Sequence, residues 1–314
     1  MKAVQIKGYG GTEVVEINSN APEPSPAEGQ VLVEVHAASI NPFDYKIRSG
    51  MLKDNIPLQF PYIPGGDFSG IVTKFGGGAS EFKIGDEVFG SALVLNGSSG
   101  AFAEVAAANV KNIALKPKKI DFNEAASLPL VGSSAIQALE EHIKLQNGQK
   151  ILIHGGAGGI GSIAIQLARH LGTYIATTVS TDDKEFVKSL GADQIIDYKT
   201  EKFEELLSDF DAVFDTVGGK TTDNSFKVLK KGGILVSMRG QPNEELAKQY
   251  GVTAIGQGTD INREHLTRLA ELVDQGVIKP QVDKVFPLEQ VKEAFDHLEK
   301  GSPQGKVVLR FEKI

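Results

Sequence analysis

From Ile151 onward, short apolar runs alternate with longer segments in which apolar residues recur every three or four positions. The runs are Ile151–His154, Tyr174–Val179, Gln194–Asp197, Ala212–Thr216, Ile234–Met238 and Val252–Ile255. A brief apolar run bounded by turn residues suits a strand buried on both faces, and the helical or loop segments between runs supply the crossovers of a parallel sheet. The pattern predicts an α/β domain whose six strands form a doubly wound sheet in the order 3-2-1-4-5-6. The first 120 residues read differently, with alternating strands such as Val31-Leu32-Val33-Glu34-Val35 and with turns at Pro22-Glu23-Pro24-Ser25-Pro26 and Gly76-Gly77-Gly78. This is the pattern of a mostly β domain. After Arg268 come a helix, a strand near Val282–Phe286, an amphipathic helix over Leu288–Lys300 and a final strand over Lys306–Phe311, a tail expected to return to the first domain. The predicted division is 1–123, completed by 269–314, for the β domain and 124–268 for the parallel sheet.

The first of the six strands feeds Gly155-Gly156-Ala157-Gly158-Gly159-Ile160-Gly161 and then a helix expected to run to Leu171. A Gly-x-Gly-x-x-Gly turn between a buried strand and a helix is the pattern of a dinucleotide phosphate site. Each glycine has its own reason: Gly156 for the sharp exit from the strand, Gly158 for close approach of a pyrophosphate, Gly161 for tight packing of helix on strand. The helix start offers free N–H groups and a positive dipole end, so no lysine is needed in the loop. Gly156, Gly158, Gly159, Ile160 and Gly161 are therefore the candidate phosphate-binding positions.

Composition narrows the chemistry. A chain of 314 residues with 41% hydrophobic content predicts about two ordinary cores. A net charge of −7 without a basic cluster argues against nucleic acid and against an anionic membrane surface. No apolar run approaches the ~18 residues of a membrane span, and Met1-Lys2-Ala3-Val4-Gln5-Ile6 begins a strand pattern, not a signal peptide. The absence of cysteine removes disulfides, thiolate catalysis and thiolate zinc ligands, and it fits a cytoplasmic location. The six histidines, at 36, 142, 154, 170, 265 and 297, show no i, i+4 ligand spacing. Small-molecule chemistry without a metal is the expectation.

Four segments together carry a resemblance. They are Asn41-Pro42-Phe43-Asp44-Tyr45-Lys46-Ile47-Arg48-Ser49-Gly50, Pro64-Gly65-Gly66-Asp67-Phe68-Ser69-Gly70-Ile71-Val72, Gly85-Asp86-Glu87-Val88 and the glycine loop, with Gly305-Lys306-Val307-Val308-Leu309 as the ending. The chain resembles the medium-chain dehydrogenase/reductase superfamily along essentially its whole length, and within it the zinc-independent quinone oxidoreductases, a branch that includes enone and alkenal reductases. The resemblance implies a GroES-like, mostly β catalytic domain joined to a Rossmann domain. It also implies a homodimer made by pairing the last sheet strand, here Val252–Ile255, across a two-fold axis. Zinc enzymes of the superfamily place a Cys where this chain has Asn41, a His-Glu pair where it has Gly66-Asp67, and a Cys near Leu130, so no metal is expected.

The second strand decides between nicotinamide cofactors. An NAD site usually ends that strand in an acid that hydrogen-bonds the ribose 2′-hydroxyl. Here it ends Thr177-Thr178-Val179-Ser180-Thr181, with Asp182 and Asp183 following. Ser180 can donate to a phosphate oxygen and Lys184 can neutralise its charge. The resemblance puts Tyr198 on the same phosphate, so NADPH is expected. It also implies cofactor contacts from Ser134 near the nicotinamide-side phosphate, from Thr216 and Val217 at the fourth strand's end, from Ser237 and Met238 at the fifth's, and from Lys306. Strand ends line the ligand crevice of any doubly wound sheet.

Hydride transfer without a Lewis acid requires an activated acceptor, because a metal would otherwise supply several kcal/mol of charge stabilisation. A quinone or enone qualifies, since the charge it gains is delocalised. Asn41, Asp44 and Tyr45 are the candidate substrate contacts, with Asn41 as an N–H donor and Tyr45 as a ring wall or, alternatively, a proton donor. Asp44 has a competing structural reading as a partner of Arg48. Phe43, Phe60, Tyr62 and Phe102 could line a planar substrate, although such aromatics are more often core. The leading expectation is an NADPH-dependent quinone or enone reductase. The alternatives are a non-catalytic, crystallin-like NADPH-binding protein and a zinc-less alcohol dehydrogenase.

Overall fold

The computed structural model describes residues 1–78 and 81–312. Its contacts divide the chain into two units, Met1–Leu130 with Ile261–Asp274 and Pro280–Ile314, and Val131–Asp260 with Gln275–Lys279. The first boundary falls after Leu130 where the sequence suggested 123. Residues 261–268, expected with the parallel sheet, lie in the first unit. Arg263 accounts for that placement: its guanidinium donates to the Val110 carbonyl at 2.5 and 3.1 Å, pairs with Glu81 at 3.2 Å and covers the Phe82 ring.

The first unit is built on a seven-stranded sheet in which Gln30–Ile40 is the central, longest strand. It pairs antiparallel with Asp67–Phe75, with Val105–Asn109 and, through Val308↔Ser39 and its neighbours, with the C-terminal strand Lys306–Arg310. The alternation of its residues buries Val31, Val33 and Val35 against Phe68, Val72, Val88 and Phe102. Phe286, Phe295 and Leu309 of the tail complete the same core. The helix α1 (Pro42–Arg48) leaves the end of the central strand, with Pro42 at its first turn where no N–H is needed.

The second unit is a six-stranded parallel sheet: β1 (Lys150–His154), β2 (Tyr174–Val179), β3 (Gln194–Asp197), β4 (Phe210–Asp215), β5 (Leu229–Ser237) and β6 (Thr253–Gly256). The order is β3-β2-β1-β4-β5-β6, the doubly wound topology the pattern predicts. Ile151, Leu152 and Ile153 are fully buried, as a strand covered on both faces requires. Helix α2 (Gly159–His170) turns Ile163, Ala164, Leu167 and Ala168 inward. Four strands differ from their predicted limits: β1 begins one residue earlier, at Lys150, and β4 runs over Phe210–Asp215 in place of Ala212–Thr216. β5 begins at Leu229, because Lys230, Lys231 and Gly232 are exposed and carry no apolar signal, and β6 starts one residue later than expected.

Candidate active site

In the second unit the sheet order reverses between β1 and β4, so connections diverge there and leave a crevice at the strands' carboxyl ends. The glycine loop sits at that point. Gly155 has φ 73°, so it makes the sharp turn out of β1, a role the sequence pattern assigned to Gly156. Gly156 is required on different grounds: a Cβ there would strike the Thr177 hydroxyl and Ile165. A Cβ on Gly161 would run into the Gly155 carbonyl oxygen, which confirms tight helix-on-strand packing as its reason. Gly158 is the exception. Its backbone is extended (φ −74°, ψ 172°), and a Cβ would meet only the Gly155 carbonyl at an ordinary 3.5 Å. The chain's own packing does not demand glycine at 158, and the space before the helix is open. Gly158 caps α2 without a side-chain hydrogen bond, so the N–H groups of Gly159, Ile160 and Gly161 face that space as the unpaired first donors of the helix. This cradle fits a pyrophosphate.

The strand ends surround it. Thr216 donates its hydroxyl to the His154 carbonyl at 2.7 Å, tying the fourth strand's end to the first. Val217 is half exposed, but its N–H is spent on Asp215 Oδ1 at 2.8 Å, so only its side chain can meet a ligand. Ser237 is buried and accepts the Arg239 N–H, and the partly buried Met238 follows. Ser134 is buried, with its hydroxyl 2.7 Å from that of Thr259 and its carbonyl accepting the Gln257 side chain. Ser180 donates to Asp183 at 2.6 Å, Lys184 stands 3.9 Å from Glu201, and Tyr198 is 61% exposed just beyond β3.

Two buried residues escaped the sequence reading. Asp215 accepts the N–H groups of Val217 and Gly218 and the Thr222 hydroxyl, and so shapes the turn after β4. His154 bridges Thr178 at 2.9 Å and Ser225 at 3.0 Å. Ser225 already donates its proton to the Thr221 carbonyl, so it accepts from His154 Nε2–H, and Thr178 donates to Nδ1. Burial lowers the His154 pKa to about 4 and keeps the ring neutral. The available signal was position: each is the last residue of a strand entering a glycine-containing turn.

In the first unit, Asn41 caps α1 and its backbone N–H donates to Asp44 Oδ2 at 2.7 Å, a capping box. The expected Asp44–Arg48 pair does not form: Arg48 binds Glu299 at 2.7 Å and lies over the Phe295 ring. Helix capping has taken the carboxylate first. The Asn41 amide donates to Asp67 at 2.9 Å and accepts from Lys306, whose ammonium also donates to the Ile40 carbonyl and faces Asp67 at 3.6 Å. Lys306, expected at the cofactor, is thus 5% exposed within a network of Asn41, Asp44 and Asp67. Burial pushes Asp44 up to about 7, raises Asp67 and lowers Lys306. Tyr45 is partly buried and packs on the hydrophobic core. Phe102 is core, Tyr62 joins Ile6 and Ile47 in a second cluster with Phe43 against it, and Phe60 is 38% exposed, edge-on to Tyr9.

The positions that resemble zinc-ligand positions hold an amide (Asn41), a glycine (Gly66), a leucine (Leu130) and an aspartate (Asp67) that already faces a lysine ammonium. This donor set does not fit a zinc ion, which takes sulfur, imidazole or carboxylate ligands and is repelled by a neighbouring cation.

Comparison with known proteins agrees with this architecture. Residues 27–118 match the family described as alcohol dehydrogenase GroES-like domain, and residues 190–309 match zinc-binding dehydrogenase. The chain is 40% identical to 2-methylene-furan-3-one reductase of Solanum lycopersicum, over 98% of this chain and 79% of the relative. Identity and coverage are the same for the NADPH-dependent alkenal/one oxidoreductase, chloroplastic, of Arabidopsis thaliana. The solved quinone oxidoreductase of Coxiella burnetii superposes with a TM-score of 0.89 at 36% identity, covering 99% of both chains. With its GroES-like sheet, its Rossmann sheet and relatives of this identity and coverage, the chain belongs to the medium-chain dehydrogenase/reductase superfamily, in its quinone oxidoreductase branch.

Proposed function

We propose that the protein is an NADPH-dependent oxidoreductase that reduces quinones or α,β-unsaturated carbonyl compounds without a metal. The observation that carries this reading is the open cradle at Gly158, a glycine that the chain's own packing does not require, placed before uncapped helix N–H groups at the switch point of the sheet. The relatives named as enone, alkenal and quinone reductases support the same acceptor class.

When bound, the reduced nicotinamide supplies a hydride; the protein supplies binding, orientation and electrostatics. The start of α2 would hold the pyrophosphate, while Ser180, Lys184 and Tyr198 would hold the adenosine-side phosphate. Ser134, Thr216, Val217, Ser237 and Met238 would provide the remaining cofactor contacts. Asn41, fixed by Lys306 at its oxygen and by Asp67 at one N–H, has a second N–H to offer to an acceptor oxygen on which charge develops. Asp44 braces that segment through the cap, and Tyr45 provides a wall.

Loss of NADPH, measured against a panel of quinones, enones and simple ketones, tests the reading. Turnover with the activated acceptors and little with ketones is expected. Cofactor binding without turnover would favour the non-catalytic alternative, and alcohol-dependent NADP reduction would favour an alcohol dehydrogenase.

The protein is further read as a homodimer formed through β6. This strand is at one edge of its sheet, and pairing it with a second copy would satisfy its outer backbone groups. A dimer mass by light scattering is the check. The cysteine-free composition supports a reducing compartment such as the cytoplasm. Among the described residues no helix is long and apolar enough to cross a membrane.

A further inference from the structure

The corner expected to receive the adenosine 2′-phosphate is already occupied by the chain's own carboxylates. Ser180 gives its hydroxyl proton to Asp183 Oδ2 at 2.6 Å. Lys184 faces Glu201 Oε2 at 3.9 Å, and that oxygen also accepts the Asp197 N–H at 2.8 Å. Asp197 is itself ionised, because the Thr181 hydroxyl and the Lys199 N–H hold its carboxyl below the usual range. Over Ser180–Lys184 and Asp197–Glu201 the sequence carries four carboxylates, Asp182, Asp183, Asp197 and Glu201, against two ammonium groups, Lys184 and Lys199. A 2′-phosphate would have to draw Ser180 from Asp183 and Lys184 from Glu201 in a field that is net negative. A plain ribose hydroxyl carries no charge for these carboxylates to repel.

We infer that Asp183 and Glu201 restrain selection for the phosphorylated coenzyme, so that the protein binds NADH as well as NADPH, with the balance set by these two carboxylates. The inference rests on the NADPH reading and deepens it. The residues expected to contact the phosphate, Ser180 and Lys184, are present but internally engaged, and it is their partners that limit discrimination.

Titration calorimetry on the full chain, with ADP and its 2′-phosphorylated form as probes, tests this without any acceptor present. Wild-type protein is expected to bind the two probes within about tenfold of each other. Asp183→Asn and Glu201→Gln are each expected to tighten the phosphorylated probe by about fivefold or more while leaving ADP unchanged or weaker. A wild-type preference for the phosphorylated probe above about a hundredfold, or an unchanged ratio in both variants, would overturn the inference. Failure of both probes to bind would remove the nucleotide-site reading itself and this inference with it. Binding of both with an unaltered ratio would overturn the inference alone.

Discussion

Asp44 is fixed by a backbone N–H and stripped of water by burial, and the two act on its ionisation in opposite directions. Burial is the larger effect and pushes it up to about 7, while the Asn41 N–H and Lys306 pull it down. In the unfolded chain its value returns to about 3.9. A carboxyl whose folded value is raised contributes stability that is present in full below about pH 4 and is lost as the pH rises through about 7. His154 has the opposite sign: its value is lowered to about 4, so its contribution grows as the pH rises from about 4 to about 6.5. The two windows overlap, and the wild-type pH profile alone does not separate them. Asp44→Asn cannot ionise but still accepts the cap N–H. It is expected to gain stability over wild type as the pH rises from about 4 to about 7, by on the order of 2 kcal/mol, read from denaturant unfolding at each pH. A difference that stays constant with pH would mean that Asp44 titrates as an ordinary carboxylate. At this scale the sequence showed Asn41, Asp44 and Lys306 as candidates but not their connection. Lys306 and Asn41 are 265 positions apart, and only the antiparallel pairing of the last strand with Gln30–Ile40 brings them together.

The junction of β1 with α2 separates packing from function within one motif. Gly161→Ala would drive a methyl group into backbone, so it is expected to lower stability by roughly 1–3 kcal/mol. Gly158→Ala is compatible with its extended backbone and open surroundings, and stability is expected to stay within about 1 kcal/mol of wild type. Its methyl group would occupy the space proposed for phosphate, so NADPH affinity is expected to fall at least about tenfold. Thermal unfolding and the change in reduced-nicotinamide fluorescence on binding read the two effects separately. Unaltered NADPH affinity in Gly158→Ala would refute the cradle. The elements here were legible because β1 is buried on both faces and announces itself as an apolar run. β5 was legible only in its second half, since Lys230–Gly232 are exposed and interrupt the apolar run, and Lys230 pairs with Asp211 instead of entering the core. The helix after Arg268 was expected in the first domain, but its earlier start at Arg263 was not legible, because it depends on a guanidinium reaching a carbonyl 153 positions away.

Across the whole molecule, each unit carries its own core and its own part of the chemistry. The second unit holds the glycine turn and uncapped helix start proposed for the nucleotide, and the first holds the buried amide, carboxylate and lysine network at the positions that resemble zinc-ligand positions. Fold, cofactor class and acceptor class could be read from the chain because they rest on local motifs and on what replaces the metal ligands. The particular acceptor could not, because it depends on the shape of segments such as Met51–Tyr62, where little regular periodicity constrains the path. The central claim is that hydride passes from NADPH to an activated carbon acceptor. Mass spectrometry of the product, formed from an α,β-unsaturated ketone and NADPH deuterated at its transferable position, tests that claim most directly. The expected product is a saturated ketone carrying one deuterium on the carbon β to the carbonyl. A product without deuterium, an allylic alcohol in its place, or no product from protein that binds NADPH would contradict it.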